Sequence, residues 1–458
     1  MLPALIAFLV AASATPHLFA QSSAQAAPTW LETYREPAAR LIRESMGDSF
    51  AWRRLATLTD TIGHRLSGSK QLDRAIEWAM AEMKRDGLEN VHAEPVMVPK
   101  WVRGRESAEI VEPAHQPIAM LGLGDSIGTP LGGVRAEALV VRSVDELDAN
   151  AARVRGRVVV FNVPFTTYGE TRPVRSNGPS RAARYGAVAA LVRSVGPAGL
   201  RLPHTGGLQY VEGIARIPAA AIATEDADRL QRMADRGDRI VICLQMEAHF
   251  ETDAPSANVV GELRGREKPD EVVVVGGHLD SWDVGAGASD DGGGCIATWD
   301  ALRLMKKLGL RPRRTVRVVL WTNEENGTAG GRAYRDTHLA ELANHVMMLE
   351  ADSGLFSPAS FGFTGVKGMN TVRAIASLLA GIGVDRVLPG GGGSDIDPSV
   401  QAGRMPSMSY DGTGDYFMFH HTQADTVDKI DPVDVSRAAA AIAVMTYVIA
   451  DLPMRLGE

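Results

Sequence analysis

The sequence predicts an α/β protein built on a doubly wound, mostly parallel sheet with helices on both faces. From residue 250 onward, short apolar runs such as EVVVVGG, TVRVVLW and HVMMLEAD alternate with helical patterns such as GCIATWDALRLMKKLGL. Short, continuously apolar runs are typical of parallel strands that are buried on both faces. Their alternation with helices is the pattern of a sheet wound in both directions. Ligands in such folds bind beyond the carboxyl ends of the strands.

The N-terminus predicts a secretory signal peptide over residues 1–26. LPALIAFLVAA (2–12) is apolar but too short to span a bilayer, and small residues suited to cleavage follow near residues 20 and 26. The positive charges usual at the start of a signal peptide are absent, and a buried N-terminal helix is the alternative. A secreted or periplasmic protein is expected.

The segment 27–118 is assigned to the N-terminal part of the catalytic domain. Its clearest element is a helix within residues 67–88, where apolar side chains recur at helical spacing. Ser69 is placed to cap the start of this helix, and Gly87 to end it.

The segment 119–249 is predicted to be a small α/β module inserted into the catalytic domain, which resumes over 250–458. It begins with the glycine-rich stretch GLGDSIGTPLGG and continues with short apolar runs separated by loops. GLGDSIG does not lie between a strand and a helix, so it is not a dinucleotide-binding motif. Because the insert contributes no predicted metal ligand, we expect it to act as a wall that restricts substrate size.

Composition excludes several classes of partner. The chain has 458 residues and a formal net charge of −7, with no basic run, which argues against nucleic acid or an acidic membrane as a partner. Cys243 and Cys295 are the only cysteines, so a thiolate metal site is excluded. Any metal must therefore be bound by histidines and carboxylates.

Potential metal ligands follow each strand and loop of the second half of the chain. Each pair or group stands at the carboxyl end of its own element, where a doubly wound sheet binds ligands. The groups are His278 with Asp280, Asp290 with Asp291, Glu324 with Glu325, Glu350 with Asp352, and His420 with His421.

A set of histidines and carboxylates without thiolates suits two catalytic zinc ions, with manganese or cobalt as substitutes. Five ligands are one short of two three-ligand sets, so one carboxylate is expected to bridge the ions. Such a pair polarises a carbonyl and lowers the pKa of a shared water. In WTNEENG (321–327) the chain is expected to turn at Asn323, so that one glutamate binds metal and its neighbour accepts the proton of the water.

Four stretches carry a resemblance to a known family: GGHLDSWDVGAGASDDGGG, WTNEENG, LEADSG and FHHTQADT. In order and spacing they resemble the co-catalytic zinc exopeptidases of clan MH, the family of aminopeptidase Y and glutamate carboxypeptidase. The flanking stretches IGHRLSGSKQLDRAIEWAMAEMKRDGLENV and RLPHTGGLQY look like the plasma glutamate carboxypeptidase branch of that family. The insert resembles the protease-associated domain of the family.

The resemblance implies a role for each residue of the centre. One zinc would be held by His278, Asp290 and Asp352, and a second by Asp290, Glu325 and His421. Glu324 would be the general base, and Asp280 would orient the imidazole of His278 without touching the metal. A cis peptide bond between Asp290 and Asp291 is also expected from the resemblance.

The predicted function is hydrolysis of dipeptides or short peptides with free termini, as a carboxypeptidase or dipeptidase, through a metal-bridging water activated by Glu324. An aminopeptidase that acts on longer peptides is the alternative, and a binding protein on an inactive peptidase fold is less favoured because all the ligands are present. GGGGSDID (390–397) resembles a segment that lines the substrate side, which makes Ser394 a candidate contact. His204, in PHTGG, could reach the active site from the insert but is more readily a loop histidine. The resemblance also implies a homodimer.

Overall fold

The computed structural model describes residues 28–456. The predicted signal peptide, residues 1–26, lies outside the described residues and stays a prediction.

The described residues contain eighteen strands, each named here by its position in the chain. They are β1 (Glu89–Val98), β2 (Trp101–Val102), β3 (Glu106–Glu112), β4 (Gln116–Ile118), β5 (Met120–Gly122), β6 (Val134–Val141), β7 (Val158–Phe161), β8 (Ala189–Arg193), β9 (Ala219–Ile222), β10 (Val241–Met246), β11 (His249–Phe250), β12 (Ala254–Leu263), β13 (Lys268–His278), β14 (Arg314–Trp321), β15 (His345–Glu350), β16 (Ala359–Phe363), β17 (Val387–Pro389) and β18 (Ser407–Gly412).

Twelve α-helices accompany these strands in the same part of the chain. They are α1 (Glu32–Met46), α2 (Phe50–Thr61), α3 (Lys70–Arg85), α4 (Val144–Ala149), α5 (Tyr168–Arg184), α6 (Thr224–Asp235), α7 (Gly293–Lys307), α8 (Ala329–Thr337), α9 (Met369–Ala376), α10 (Asp397–Gly403), α11 (Tyr416–Phe419) and α12 (Pro432–Asp451).

The larger sheet has the strand order β1-β12-β14-β13-β15-β18-β16-β17. Its four central strands, β14, β13, β15 and β18, are parallel to one another, and antiparallel pairs occur towards both edges. Every residue of β14 and β15 is buried, as expected for parallel strands that are covered on both faces. The predicted fold class, a doubly wound and mostly parallel sheet between helices, is confirmed.

Helices cover both faces of this sheet. On one face, α1, α2, α3, α7, α9 and α12 contribute to a single apolar core with the strands. On the other, Tyr334 of α8 and Ile396 beside α10 pack against Val274 and Trp321. The helix α12 is long and apolar enough to cross a membrane, but most of it is buried against α7 and α1 in the core. It therefore fits the role of a core helix.

The predicted helix near residue 70 forms as α3. The Ser69 side chain accepts a hydrogen bond from the backbone N–H of Leu72 at 3.2 Å, which caps the helix. Gly87, just beyond the last turn, has a φ of 77°, a left-handed conformation that glycine adopts without steric cost.

The second sheet has the order β4-β3-β10-β6-β7-β8-β9-β5, in which β6, β7, β8 and β9 are parallel. It begins at Glu106 rather than at the predicted boundary of residue 119. The difference arises because β3 pairs antiparallel with β10 along its whole length, so β3 and β4 join the later strands rather than the N-terminal helices. We call residues 106–246 the second unit, and its identification as a protease-associated domain stays a prediction.

Candidate metal centre

The carboxyl ends of the central strands place the predicted ligands along one edge of the larger sheet. His278 is the last residue of β13 and pairs in register with Trp321, the last residue of β14. Asn323 then takes a φ of 64°, and this left-handed residue turns the chain where the predicted turn lies. Glu350 ends β15 beside Gly276 of β13, which brings Asp352 to the same edge.

The first half of the centre is formed around His278. Its Nε2 lies 3.2 Å from Oδ1 of Asp352 and 3.3 Å from Oδ1 of Asp290. All three side chains lie within reach of a single ion.

The second half is formed around His421, on the other side of Asp290. The Nε2 atom of His421 lies 3.2 Å from Oδ2 of Asp290 and 3.1 Å from Oε2 of Glu325. Asp290 therefore presents one carboxylate oxygen to each half of the centre. This is the arrangement expected of a bridging ligand.

These distances fit a divalent cation in each half. Two ligand atoms bound tetrahedrally at about 2.0 Å from a zinc ion are about 3.3 Å apart, close to the separations given above. Oδ2 of Asp290 is buried and receives no hydrogen bond, although a buried carboxylate oxygen ordinarily has a partner. The donor set thus fits two zinc ions that share Asp290.

His420 also reaches the second half of the centre. Its Nε2 lies 3.5 Å from Oδ2 of Asp290, and its ring stacks on that of His421 with centroids 3.6 Å apart. It makes no comparable contact with Glu325, whereas His421 contacts both carboxylates. Asp290, His420 and His421 lie within reach of a single ion, so the contact with Glu325 is the observation that supports His421 as the predicted ligand.

Asp425 holds the loop that carries the bridging carboxylate. It accepts hydrogen bonds from the backbone N–H groups of Ala288 at 3.1 Å, Ser289 at 2.7 Å and Asp290 at 3.2 Å, and from the Ser289 hydroxyl at 2.8 Å. Since Asp425 follows His421 by four residues, one segment positions ligands of both halves. The peptide bond between Asp290 and Asp291 is cis, as the resemblance implies.

Asp291 has a structural role. Its carboxylate accepts hydrogen bonds from the backbone N–H of His278 at 3.0 Å and of Gly294 at 3.1 Å. It therefore links the end of β13 to the start of α7.

Arg65 fixes the loop between His278 and Asp290 from the other side. The guanidinium is fully buried and donates to the carbonyls of Leu279 at 2.7 Å, Ala286 at 2.7 Å and Gly287 at 2.8 Å. A buried charge of this kind is tolerated because its donors are satisfied. The N-terminal segment thus contributes to the centre although it contains no predicted ligand.

Asp280 positions both halves through the backbone. Its carboxylate accepts from the N–H of Glu324 at 3.1 Å and of Glu325 at 3.3 Å. The Nδ1 atom of His278 lies 3.0 Å from the Asp280 carbonyl but 3.8 Å from its carboxylate. In this structure the backbone carbonyl of Asp280, and not its carboxylate, is placed to orient the His278 imidazole. The carboxylate holds the turn that carries the two glutamates.

The Glu350 carboxylate is held by backbone groups outside both halves of the centre. Its Oε2 accepts hydrogen bonds from the backbone N–H groups of Asp395 at 3.1 Å and Ile396 at 3.0 Å. It therefore anchors the glycine-rich segment 390–397, whereas Asp352 lies in the centre.

The cluster perturbs the pKa of its members. Burial and the neighbouring Asp290 carboxylate raise the pKa of Glu325 to about 8. Burial alone would lower the pKa of His278 and His421, but the carboxylates beside them raise it well above the usual value. Burial would likewise raise the pKa of Asp290, yet the adjacent imidazoles hold it well below its usual range. A cation that binds here must displace protons from these groups, so binding weakens as the pH falls.

A cavity of about 990 Å³ opens onto the centre. It is lined by Glu324, Glu325 and Ser394 from the larger unit and by Arg172 and Arg175 of α5 from the second unit. Ser394, predicted as a substrate contact, is exposed on this wall. The cavity therefore lies between the two sheets, with the proposed ligands at its base.

Several residues at this site were not predicted from the sequence. Arg65, Asp425 and Arg175 act on the centre from distant parts of the chain. Asp425 lies in the FHHTQADT stretch and Arg65 in the IGHRLSGSK stretch, but the resemblance assigned neither a role. His204 is buried beside the centre, and burial lowers its pKa to about 4. The His204 side chain is absent from the cavity wall among the described residues.

Known proteins resemble this chain along most of its length. The model of Peptidase family M28 matches residues 258–446. Carboxypeptidase Q of Mus musculus is 47% identical over 403 residues, which cover 88% of this chain and 86% of that protein. The crystal structure of a Peptidase M28 precursor from Shewanella amazonensis SB2B superposes with a TM-score of 0.87 at 34% identity, and the match covers 93% of this chain and 98% of that one.

A zinc aminopeptidase from Bacillus subtilis shares the fold, with a TM-score of 0.66 at 20% identity over 89% of this chain and 96% of that one. The resemblance inferred from the sequence motifs is confirmed by these matches. The chain belongs to peptidase family M28 and is a hydrolase of peptide bonds.

Proposed function

We propose that this chain is a metalloexopeptidase that holds two zinc ions and hydrolyses dipeptides or short peptides with free termini. The observation that carries the proposal is the position of Asp290, whose two carboxylate oxygens contact His278 on one side and His421 on the other. Zinc bound in these positions would polarise the peptide carbonyl and lower the pKa of the attacking water. The zinc aminopeptidase with the same fold supports the choice of metal.

Glu324 is placed to act as the general base. It lines the cavity next to Glu325, and the Asp280 carboxylate fixes its backbone N–H. Its carboxylate makes no hydrogen bond with another described residue, so it is free to accept the proton of the attacking water. Proton transfer to the leaving amine can then use the same carboxyl group.

The cavity supports a small substrate with charged ends. Its volume lies within the range of ordinary small-molecule sites, roughly 300–1,000 Å³, and the second unit forms one of its walls. Arg172 offers a cation suited to a substrate carboxylate. Asp125 and Asp411 offer acidic groups suited to a substrate ammonium. Both termini of a dipeptide could therefore find an opposite charge.

An aminopeptidase is the second candidate, and the acidic residues Asp125 and Asp411 in the cavity favour it. The two candidates differ in the terminus that must be free. We would compare the hydrolysis of one dipeptide in its free, N-acetylated and C-amidated forms. The proposal predicts that the free dipeptide is preferred and that amidation lowers kcat/KM strongly. Unimpaired cleavage of C-amidated and longer peptides would contradict it and identify an aminopeptidase.

Arg172→Ala is expected to raise the KM for the free dipeptide about tenfold, the lower end of the effect of a charged hydrogen bond. Arg172 is exposed in the cavity and forms no ion pair with another residue in the described part of the chain, so a substrate carboxylate can be its partner. The KM for the C-amidated dipeptide should stay unchanged.

The matched control is Arg184→Ala, which removes an exposed arginine from the last turn of the same helix, outside the cavity. Equal effects of Arg172→Ala on the free and amidated substrates would show that Arg172 does not recognise the carboxylate.

A further inference from the structure

One segment of the second unit lies directly against the metal centre. Residues 203–207, PHTGG, connect β8 to β9, and Thr205 within them is fully buried. The backbone N–H of Thr205 donates to the carbonyl of His421 at 2.9 Å. The Thr205 carbonyl in turn lies 3.3 Å from Nδ1 of His421. The two residues therefore form a reciprocal pair between the second unit and a proposed ligand.

The Thr205 carbonyl supplies the acceptor that a metal-binding tautomer of His421 requires, and Nη1 of Arg175 lies 3.4 Å from the same nitrogen. A histidine that offers the lone pair of Nε2 to a metal carries its proton on Nδ1, and that N–H needs an acceptor. For His278 the acceptor is the carbonyl of Asp280, two residues further along the same loop. For His421 the acceptor is the carbonyl of Thr205, more than two hundred residues away in the chain.

Arg175 and the strands of the second unit hold this carbonyl in place. Arg175 is almost completely buried and donates from Nη1 to the Thr205 carbonyl at 3.1 Å and from Nη2 to the Tyr168 hydroxyl at 3.0 Å. The Thr205 hydroxyl donates to the carbonyl of Gly122 in β5 at 2.7 Å. The acceptor is thus built into the second unit rather than supplied by a free loop.

The absence of a side chain at Gly206 allows the second unit to pack against His421. A Cβ atom at this position would lie 2.3 Å from Cζ of Arg175 and 2.7 Å from Nδ1 of His421. Its φ of 127° is also one that residues with side chains rarely adopt. A glycine is therefore required for His421 and Arg175 to approach the same carbonyl.

From these contacts we infer that the second unit is part of the metal centre: the Thr205 carbonyl, supported by Arg175, positions His421 for the second metal. The inference rests on the proposed function. It gives the insert a role in metal binding in addition to the predicted role of a wall that restricts substrate size. Thr205 and Arg175 are positioning residues, since they touch the ligand and not the metal.

The test is the zinc affinity of Gly206→Ala. This variant should keep one zinc with the affinity of the wild type and bind the second more weakly by about 10–100-fold, the usual effect of removing a partner of a metal ligand. Zinc binding would be measured by competition with a chromophoric chelator, without any assay of activity. The matched control is Gly213→Ala, in the same connection, which has a φ of 77° but no atom within 4 Å of the added Cβ. Gly213→Ala introduces the strain of a side chain at positive φ but no steric clash. It should therefore bind both zinc ions with wild-type affinity.

Arg175→Met provides a second variant if Gly206→Ala does not fold. It leaves the backbone unchanged and should weaken the same zinc about tenfold or more. Wild-type affinity for both ions in a folded Gly206→Ala, or in Arg175→Met, would overturn the inference while the proposed function stands. A wild-type protein that binds only one zinc would overturn the proposed function, and the inference with it.

Discussion

Glu324→Gln is expected to lower kcat by roughly 10²–10⁴-fold, the usual contribution of a general base, while zinc content and fold stay unchanged. Glutamine keeps the size of the side chain but cannot accept a proton. The Glu324 backbone N–H would still donate to Asp280, so the turn that carries Glu325 should be retained. The measurements are metal content by emission spectroscopy and single-turnover hydrolysis of one dipeptide.

Glu325→Gln is the matched comparison at the neighbouring position. Glu325 contacts His421 at 3.1 Å in the second half of the centre, so its replacement removes an anionic ligand. This variant should bind one zinc more weakly, and added zinc should restore part of its activity. Loss of zinc from Glu324→Gln together with full retention in Glu325→Gln would show that the two roles are exchanged. Near-full activity in both variants would show that neither Glu324 nor Glu325 takes part in the hydrolysis.

Asp290→Asn is expected to weaken both zinc ions and to abolish most activity. Among the described residues, Asp290 is the one carboxylate that contacts both His278 and His421, so the change should affect two ions at once. The loss of zinc affinity should exceed the 10–100-fold typical of residues that only support a ligand. The measurement is zinc affinity by chelator competition, with dipeptide hydrolysis recorded at saturating zinc.

The control for Asp290 is Asp411→Asn, the same substitution in the same cavity. Asp411 accepts a hydrogen bond from the Ser409 hydroxyl at 2.8 Å and belongs to neither half of the centre. This variant should bind both ions with unchanged affinity. If Asp290→Asn lost only one ion, Asp290 would be an ordinary ligand and not a bridge.

The sequence predicts the core of the fold because its strongest signals are local. The continuous burial of β14 and β15 follows from their apolar runs, and the cap of α3 follows from Ser69. The convergence of His278, Glu325 and Asp352 follows from one rule, since parallel strands place their carboxyl ends at one edge. The predicted insert starts at residue 119, whereas the second sheet includes β3 from Glu106, because β3 owes its position to pairing with β10, far along the chain.

The support of the metal centre is harder to predict for the same reason. Arg65 acts on carbonyls of residues 279–287 across more than two hundred positions, and an isolated arginine in the sequence gives no sign of its partners. The contribution of Thr205 is a backbone carbonyl, which every residue possesses, so no residue type marks it. Asp280 could be placed near His278, but its spacing alone does not distinguish its carboxylate from its carbonyl. Side chains that contact substrate or metal follow motifs, whereas those that position them depend on the tertiary fold.

We propose that two zinc ions share Asp290 in this chain. A zinc titration of the metal-free protein, with bound zinc and dipeptide hydrolysis measured on the same samples, tests this proposal. We expect two bound ions per chain and full activity only when the second is bound. Full activity at one zinc per chain would contradict it.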